Sequence, residues 1–170
     1  MSSKNLSRIK KVLMALLLVL AELLQSAVFG GLQLGMVPAV MPVAVACIAM
    51  YEGPENGAIY GLIGGCLWAW SSELSYYGAW CILVLTGIGF AAGLVTERYL
   101  LRGIKTLLTF SAGAVVLTDG LHTLAGIFSG RVPPTALFSV FLPGALISLI
   151  LSLGFLALAS YISKIGGTHG

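Results

Sequence analysis

Six long apolar stretches, separated by only a few polar residues, restrict what this chain can fold into. They cover residues 12–30, 36–51, 57–73, 78–95, 106–128 and 135–162. A helix needs about 20 apolar residues to cross the hydrocarbon core of a bilayer. Connections this short place successive helices side by side and antiparallel. The pattern predicts an all-α, polytopic membrane protein, with residues 1–170 forming one bundle of about six transmembrane helices joined by short loops.

The composition supports this prediction because polar residues are too few to cover a surface in water. Hydrophobic residues make up 58% of the 170 residues, charged residues make up 9%, and the mean hydropathy is +1.02. A soluble domain has about 25% charged residues. The net charge of +3 is small and scattered, whereas binding to a phosphate backbone needs a dense basic face. We therefore expect membrane lipid around the chain and no nucleic-acid partner.

The distribution of lysine and arginine predicts the orientation in the membrane. With the N-terminus inside, the internal segments are the two termini, residues 52–56 and residues 96–105. These segments hold eight of the nine basic residues: Lys4, Arg8, Lys10, Lys11, Arg98, Arg102, Lys105 and Lys164. The external loops hold Arg131 alone. Because basic residues concentrate in cytoplasmic loops, we expect both termini in the cytoplasm and an even number of helices.

Glycines recur every four residues in the third and fourth stretches. The positions are Gly53, Gly57, Gly61 and Gly65, then Gly89 and Gly93. This spacing places glycines near one helical face, where the missing side chain lets another backbone approach closely. The glycines predict a packing face, either inside the monomer or against another membrane protein. Glu52 and Glu55 flank the first glycine and Pro54, which predicts a short solvated turn.

Four polar residues interrupt the apolar stretches. Glu22 and Gln25 lie one turn apart in the first helix, and Asp119 and His122 lie three residues apart on one face of the fifth. A charge at mid-membrane costs roughly 3 kcal/mol unless it is paired or neutralised. Three interpretations are open: a buried polar cluster joining helices one and five, a position at the membrane interface, or a proton relay or ligand site.

The sequence contains no recognisable catalytic motif. It has no glycine-rich phosphate loop with a lysine, no HExxH and no GxSxG. Cys47, Cys66 and Cys81 lie in apolar stretches without metal-ligand spacing. We therefore expect no enzymatic activity, no cofactor, no metal and no small-molecule ligand.

Short glycine and proline motifs run through residues 36–102. They are Val37-Pro38, then Gly53-Pro54-x-x-Gly57-x-x-x-Gly61-x-x-x-Gly65, then Tyr77-Gly78, and then Thr86-Gly87-Ile88-Gly89-Phe90-x-x-Gly93-Leu94. Together with the chain length, the short loops and the basic N-terminus, these motifs resemble the family of the bacterial rod shape-determining protein MreD. Helices one, five and six are similar to that family in character only.

The resemblance implies a non-enzymatic subunit of the cell-elongation machinery in the bacterial cytoplasmic (inner) membrane. Such a subunit is a scaffold that binds an MreC-like bitopic protein and other proteins of the elongation complex. It would link actin-like filaments in the cytoplasm to the peptidoglycan synthases outside.

Two other classes are open. The size and the Gly-Pro-x-x-Gly start of the third helix are also similar to the substrate-binding S-components of energy-coupling-factor vitamin transporters. Those proteins usually carry alanines four apart in helix one, whereas Ala15, Ala21 and Ala27 are six apart. A proton-coupled carrier built on Glu22 and the Asp119–His122 pair is the third class and ranks last.

Overall fold

A computed structural model describes residues 3–29, 39–71, 78–99, 104–130 and 133–165, and every regular element in these ranges is helical. The all-α prediction is confirmed for this part of the chain. The α-helices are α1 Ser3–Leu23, α2 Val40–Ser71, α3 Gly78–Tyr99, α4 Ile104–Val115, α5 Leu121–Phe128 and α6 Leu142–Ile165. Wider π-helical segments extend α1, join α4 to α5 and precede α6, at Leu24–Phe29, Val116–Gly120 and Leu137–Phe141.

A single residue breaks α2 into two arms, α2a (residues 40–52) and α2b (residues 54–71). Gly53 has φ 83° and ψ 177°, a conformation that only glycine adopts readily. Pro54 then restarts the helix at once, because its fixed φ and missing N–H suit a first helical turn. The predicted five-residue turn over 52–56 is therefore wrong, and the break is confined to the glycine.

The two arms fold back on each other as an antiparallel hairpin. A Cβ built on Gly57 would lie 2.7 Å from the Cβ of Ala49. Farther from the bend, a Cβ on Gly64 would lie 3.1 Å from Cγ2 of Val45. In a straight helix, nineteen intervening steps would separate that second pair by about 28 Å. The chain therefore reverses direction at the glycine instead of continuing as one long helix.

The first arm, α2a, is the centre of the bundle. Every residue from Ala39 to Met50 is buried, as expected for a helix that is apolar on all sides. Helices α1, α3, α4 and α6 all contact α2. Cys47 Sγ lies 3.7 Å from the carbonyl oxygen of Ser152 on α6. The second predicted helix, 36–51, is thus the core helix; its first three positions lie outside the described residues.

The other predicted helices are present with shifted ends. The first was expected over residues 12–30 but begins at Ser3, because the basic segment before the apolar stretch is helical too. The remaining ends differ by a few residues from the predicted 57–73, 78–95, 106–128 and 135–162. Apolar patterning locates a helix, whereas capping and packing decide where it frays.

Two helical stretches, Ala79–Tyr99 and Leu137–Lys164, are long and apolar enough to cross a membrane by length and composition. They are the only ones that meet this criterion in the part of the chain that the structure describes. Large apolar side chains point outward from both, including Leu83, Phe138 and Ile150, which are 69–70% exposed. Each arm of α2 is shorter than the ~20 residues that a full crossing needs.

Candidate functional site

The glycine row of α2b lies directly against α3. A Cβ on Gly57 would lie 2.5 Å from the carbonyl oxygen of Gly89, and one on Gly65 would lie 2.6 Å from Cα of Ile82. Real Cβ atoms essentially never approach other atoms within 3.0 Å. Because these glycines have no side chains, α2b and α3 can approach each other until their backbones are in contact.

The same contact continues in both directions along the helices. Gly61 faces the carbonyl group of Leu85, and a Cβ on Gly93 would lie 2.5 Å from the carbonyl carbon of Gly53. As the residue number rises on α2b it falls on α3, so the two helices are antiparallel. The structure places the whole glycine row inside the chain, where it holds α2b against α3. This surface is occupied and is not open to a partner protein.

A polar pocket of about 440 Å³ opens at the Gly53 bend, beside the end of the glycine contact. Glu52, Glu55 and Glu97 contribute three carboxylates to its lining. The Glu52 side chain is only 6% exposed, and Lys10 Nζ lies 2.7 Å from its Oε1. The two form an ion pair without the alignment of a hydrogen bond. The solvated-turn interpretation is therefore wrong for Glu52, although Glu55 is exposed as predicted.

The basic start of α1 is attached to α2 at this pocket. Besides the Lys10–Glu52 ion pair, the Tyr60 hydroxyl donates to the carbonyl oxygen of Lys11 at 3.2 Å. Asn56 donates to the Glu52 carbonyl oxygen at 3.1 Å, across the bend. With one lysine against three carboxylates among the described residues, the pocket favours positively charged groups. Among the described residues, no group of three or more His, Cys, Asp or Glu is placed to hold a metal ion.

One of the polar residues of the first helical stretch, Gln25, lies beside the start of α2. Gln25 is 6% exposed, and its Oε1 accepts the backbone N–H of Met41 at 2.9 Å. The first N–H groups of a helix lack intrahelical partners, so Gln25 caps α2a from a neighbouring helix. Glu22, three residues earlier, has both carboxylate oxygens buried without a hydrogen-bond partner among the described residues. The sequence indicated that both residues are buried but not that one of them is a cap.

Asp119 lies in the π-helical segment between α4 and α5, and Thr123 Oγ1 donates to its carbonyl oxygen at 2.7 Å. His122 follows in the first turn of α5. Apart from its sequence neighbours α4 and α5, this segment contacts α3 and Leu137–Phe141, whereas α1 contacts α2 and α6 besides its own extension. Among the described residues, neither oxygen of the Glu22 carboxylate has a hydrogen-bond partner, so these residues show no polar cluster joining Glu22 to Asp119.

A second cleft, of about 460 Å³, separates α3 from the helix formed by α4 and its π-helical extension. Its lining is almost wholly apolar and includes Trp80, Gly87 and Ala91 on one wall, with Thr109 and Gly113 on the other. No atom of the described residues lies within 4 Å of a Cβ built on either glycine. These glycines thus differ from the packed row. The spacing of glycines in the sequence did not distinguish the packed glycines from these two open ones.

Comparisons of the chain with models of known protein families, with curated proteins and with solved structures find no match. What the protein does must therefore be inferred from its own residues and their arrangement.

Proposed function

We propose that the chain is a non-enzymatic scaffold of the MreD type that crosses the bacterial inner membrane six times. The six crossings are α1 with its extension, α2a, α2b, α3, the α4–α5 helix and α6. The hairpin at Gly53 supplies the reversal that makes the number even. An even number agrees with the concentration of basic residues in the segments assigned to the cytoplasm.

The shortness of α2a is compatible with this arrangement. Irregular or short backbone at membrane depth is tolerated where other protein segments enclose it, because its polar groups are then not exposed to lipid. All of Ala39–Met50 is buried, and Gln25 satisfies the N–H of Met41 at its start. The arm would therefore lie within the membrane without facing the acyl chains.

The observation that supports the proposal is the structural role of the glycine motif through which the sequence resembles the MreD family. Its glycines meet in one continuous contact, at Gly53, Gly57, Gly61 and Gly65 on α2 and at Gly89 and Gly93 on α3. A related scaffold would need the same residue type at the same spacing to hold these helices together. The contact gives these glycines a structural role that requires no catalytic activity.

A scaffold of this kind acts through its outer helix faces and helix ends, because almost all of the described chain is helix. The outward faces of α3 and α6 are apolar, which suits contact with lipid or with the single membrane helix of an MreC-like partner. The carboxylate-lined pocket at Gly53 suits a basic segment next to such a helix. The scaffold would connect elongation proteins on the two sides of the membrane.

The test is affinity purification of the tagged protein in a mild detergent after crosslinking in intact cells, with an unrelated six-helix protein as the control. Recovery of an MreC-like bitopic protein would support the scaffold. Recovery of an ATPase module would support the alternative, an S-component of a vitamin transporter, and would overturn the scaffold. Release of the chain from membranes by alkaline carbonate would overturn the membrane assignment itself.

A further inference from the structure

The apolar cleft between α3 and α4 is continued at one end by two basic residues. Arg98 lies seven residues after Ala91 on α3, and therefore on the same helical face, about 10 Å beyond the end of the cleft. Lys105 lies four residues before Thr109 on α4, and therefore on the face that forms the opposite wall, about 6 Å beyond the end of the cleft. Both basic side chains are exposed. Since the two helices are joined through residues 100–103, both residues lie at the same end.

The interior of the cleft offers little to a polar ligand, because nearly all of its lining is apolar. The Thr109 hydroxyl is already used, because it donates to the carbonyl oxygen of Lys105 at 3.0 Å. Gly87 and Gly113 leave open space on the two walls. An occupant must therefore be apolar along its length and anionic at the end where Arg98 and Lys105 lie.

We propose that this cleft binds an anionic phospholipid, with an acyl chain along the apolar walls and the phosphate between Arg98 and Lys105. The proposal rests on the membrane location proposed above. Basic pockets between membrane helices at the cytoplasmic side bind acidic lipid headgroups. The arginine guanidinium suits phosphate because it donates parallel hydrogen bonds to two oxygens.

Charge favours a phospholipid over a partner's membrane helix. A helix would cover the apolar walls equally well, but an apolar helix would leave the two cations at the end of the cleft without counter-charges. One phospholipid molecule would cover the apolar walls with its acyl chain and would pair its phosphate with the two basic residues. The bound lipid would also fill space between α3 and α4 that the chain itself leaves open.

The charge half of the proposal is tested by native mass spectrometry of the detergent-purified protein. Phosphatidylglycerol and phosphatidylcholine with identical acyl chains are titrated against it. We expect tighter binding of phosphatidylglycerol, and loss of that preference by about fivefold per residue in the double variant Arg98→Gln/Lys105→Gln. The matched control is Arg8→Gln/Lys11→Gln, which removes two exposed basic residues of α1 and should keep the preference.

Occupation of the cleft by the acyl chain is tested by substitutions that fill the open space at its wall. Gly87→Leu should weaken binding of both lipids at least several-fold, whereas Gly154→Leu, at an equally open glycine on α6, should not. Melting temperatures of all variants confirm that each is folded, which the open space at both glycines makes possible.

Three results would overturn the proposal: equal affinity for the two lipids, a preference that survives in the Arg98→Gln/Lys105→Gln variant, or unchanged binding in Gly87→Leu. Crosslinking of a partner's membrane helix to a cysteine at Ala91 would also overturn it, because the helix would then occupy the cleft. Failure of the scaffold function would look different. It would appear as the absence of a bitopic partner while lipid preference is retained.

Discussion

Gly57 on α2b and Gly89 on α3 lie opposite each other, and each occupies the space that a side chain on the other would need. A Cβ on Gly57 would lie 2.5 Å from the Gly89 carbonyl oxygen, and a Cβ on Gly89 would collide with the Gly57 carbonyl group. Neither residue can gain a side chain unless the two helices separate. Membrane helices associate largely through such close packing, because lipid supplies little hydrophobic drive.

Replacing Gly61 with leucine should therefore destabilise the isolated protein. The new side chain would meet the backbone of Leu85 and Thr86, which cannot move aside as a flexible side chain could. Overpacking typically costs about 1–3 kcal/mol, and we expect the upper end of that range. The measurement is the melting temperature in detergent, with Gly154→Leu as control. Equal melting temperatures would show that the row makes no close contact.

Gly53→Ala should weaken the hairpin for a different reason. Its φ of 83° with ψ of 177° lies where residues with a Cβ are strained by roughly 1–3 kcal/mol. Space is available, since the nearest atom to a Cβ there is Glu97 Oε2 at 4.0 Å. A lower melting temperature of this variant would therefore indicate backbone strain and not a steric clash. Gly113→Ala, at an open helical glycine, serves as the control, and equal melting temperatures would contradict the strained bend.

Lys10→Ala should destabilise the protein by leaving the buried carboxylate of Glu52 without its counter-charge. Breaking a buried ion pair costs about 3–5 kcal/mol; the lower end applies, because the Lys10 side chain is 22% exposed. Lys10→Ala combined with Glu52→Gln should recover much of the loss, as measured by chemical denaturation in a double-mutant cycle. Lys11→Ala, an exposed neighbour, should have little effect. Purely additive losses would show that the two residues do not interact.

Glu22→Gln should keep or raise stability, because both oxygens of its carboxylate are buried and find no hydrogen-bond partner in the part of the chain that the structure describes. An amide of the same shape avoids the cost of an unpaired charge in an apolar setting. Asp119→Asn should likewise keep membrane levels and partner recovery. Membrane fractionation and co-purification measure both outcomes. Normal levels with lost function in either variant would instead assign a titrating role to that carboxylate.

The proposed topology predicts which positions are reachable from outside the cell. In a cysteine-free background, Leu100→Cys should resist a membrane-impermeant thiol reagent, whereas Arg131→Cys should react. The reason is the concentration of basic residues on the side that holds residues 96–105. Permeabilised cells, in which both should react, provide the control. Labelling of position 100 in intact cells would rule out the six-helix arrangement.

The main helical stretches could be predicted because their cause is local. A run of apolar residues favours a helix wherever it packs, and the four-residue glycine spacing marks a close helix approach on one face. The long-range partners could not be predicted in the same way. Gln25 and Met41, or Lys10 and Glu52, are far apart in sequence, and many other pairings would suit their chemistry equally well.

Residue type and spacing alone indicated that the described chain is helical, where the apolar helices lie and which glycines could permit close packing. The packing of the helices on one another decided that the chain reverses at Gly53 alone and that α2a is the buried centre. It also decided that Gly57, Gly61 and Gly65 contact another helix of the same chain, whereas Gly87 and Gly113 line an open cleft. The physical reason is that every helix has several faces, and the face it buries is selected by all its neighbours at once.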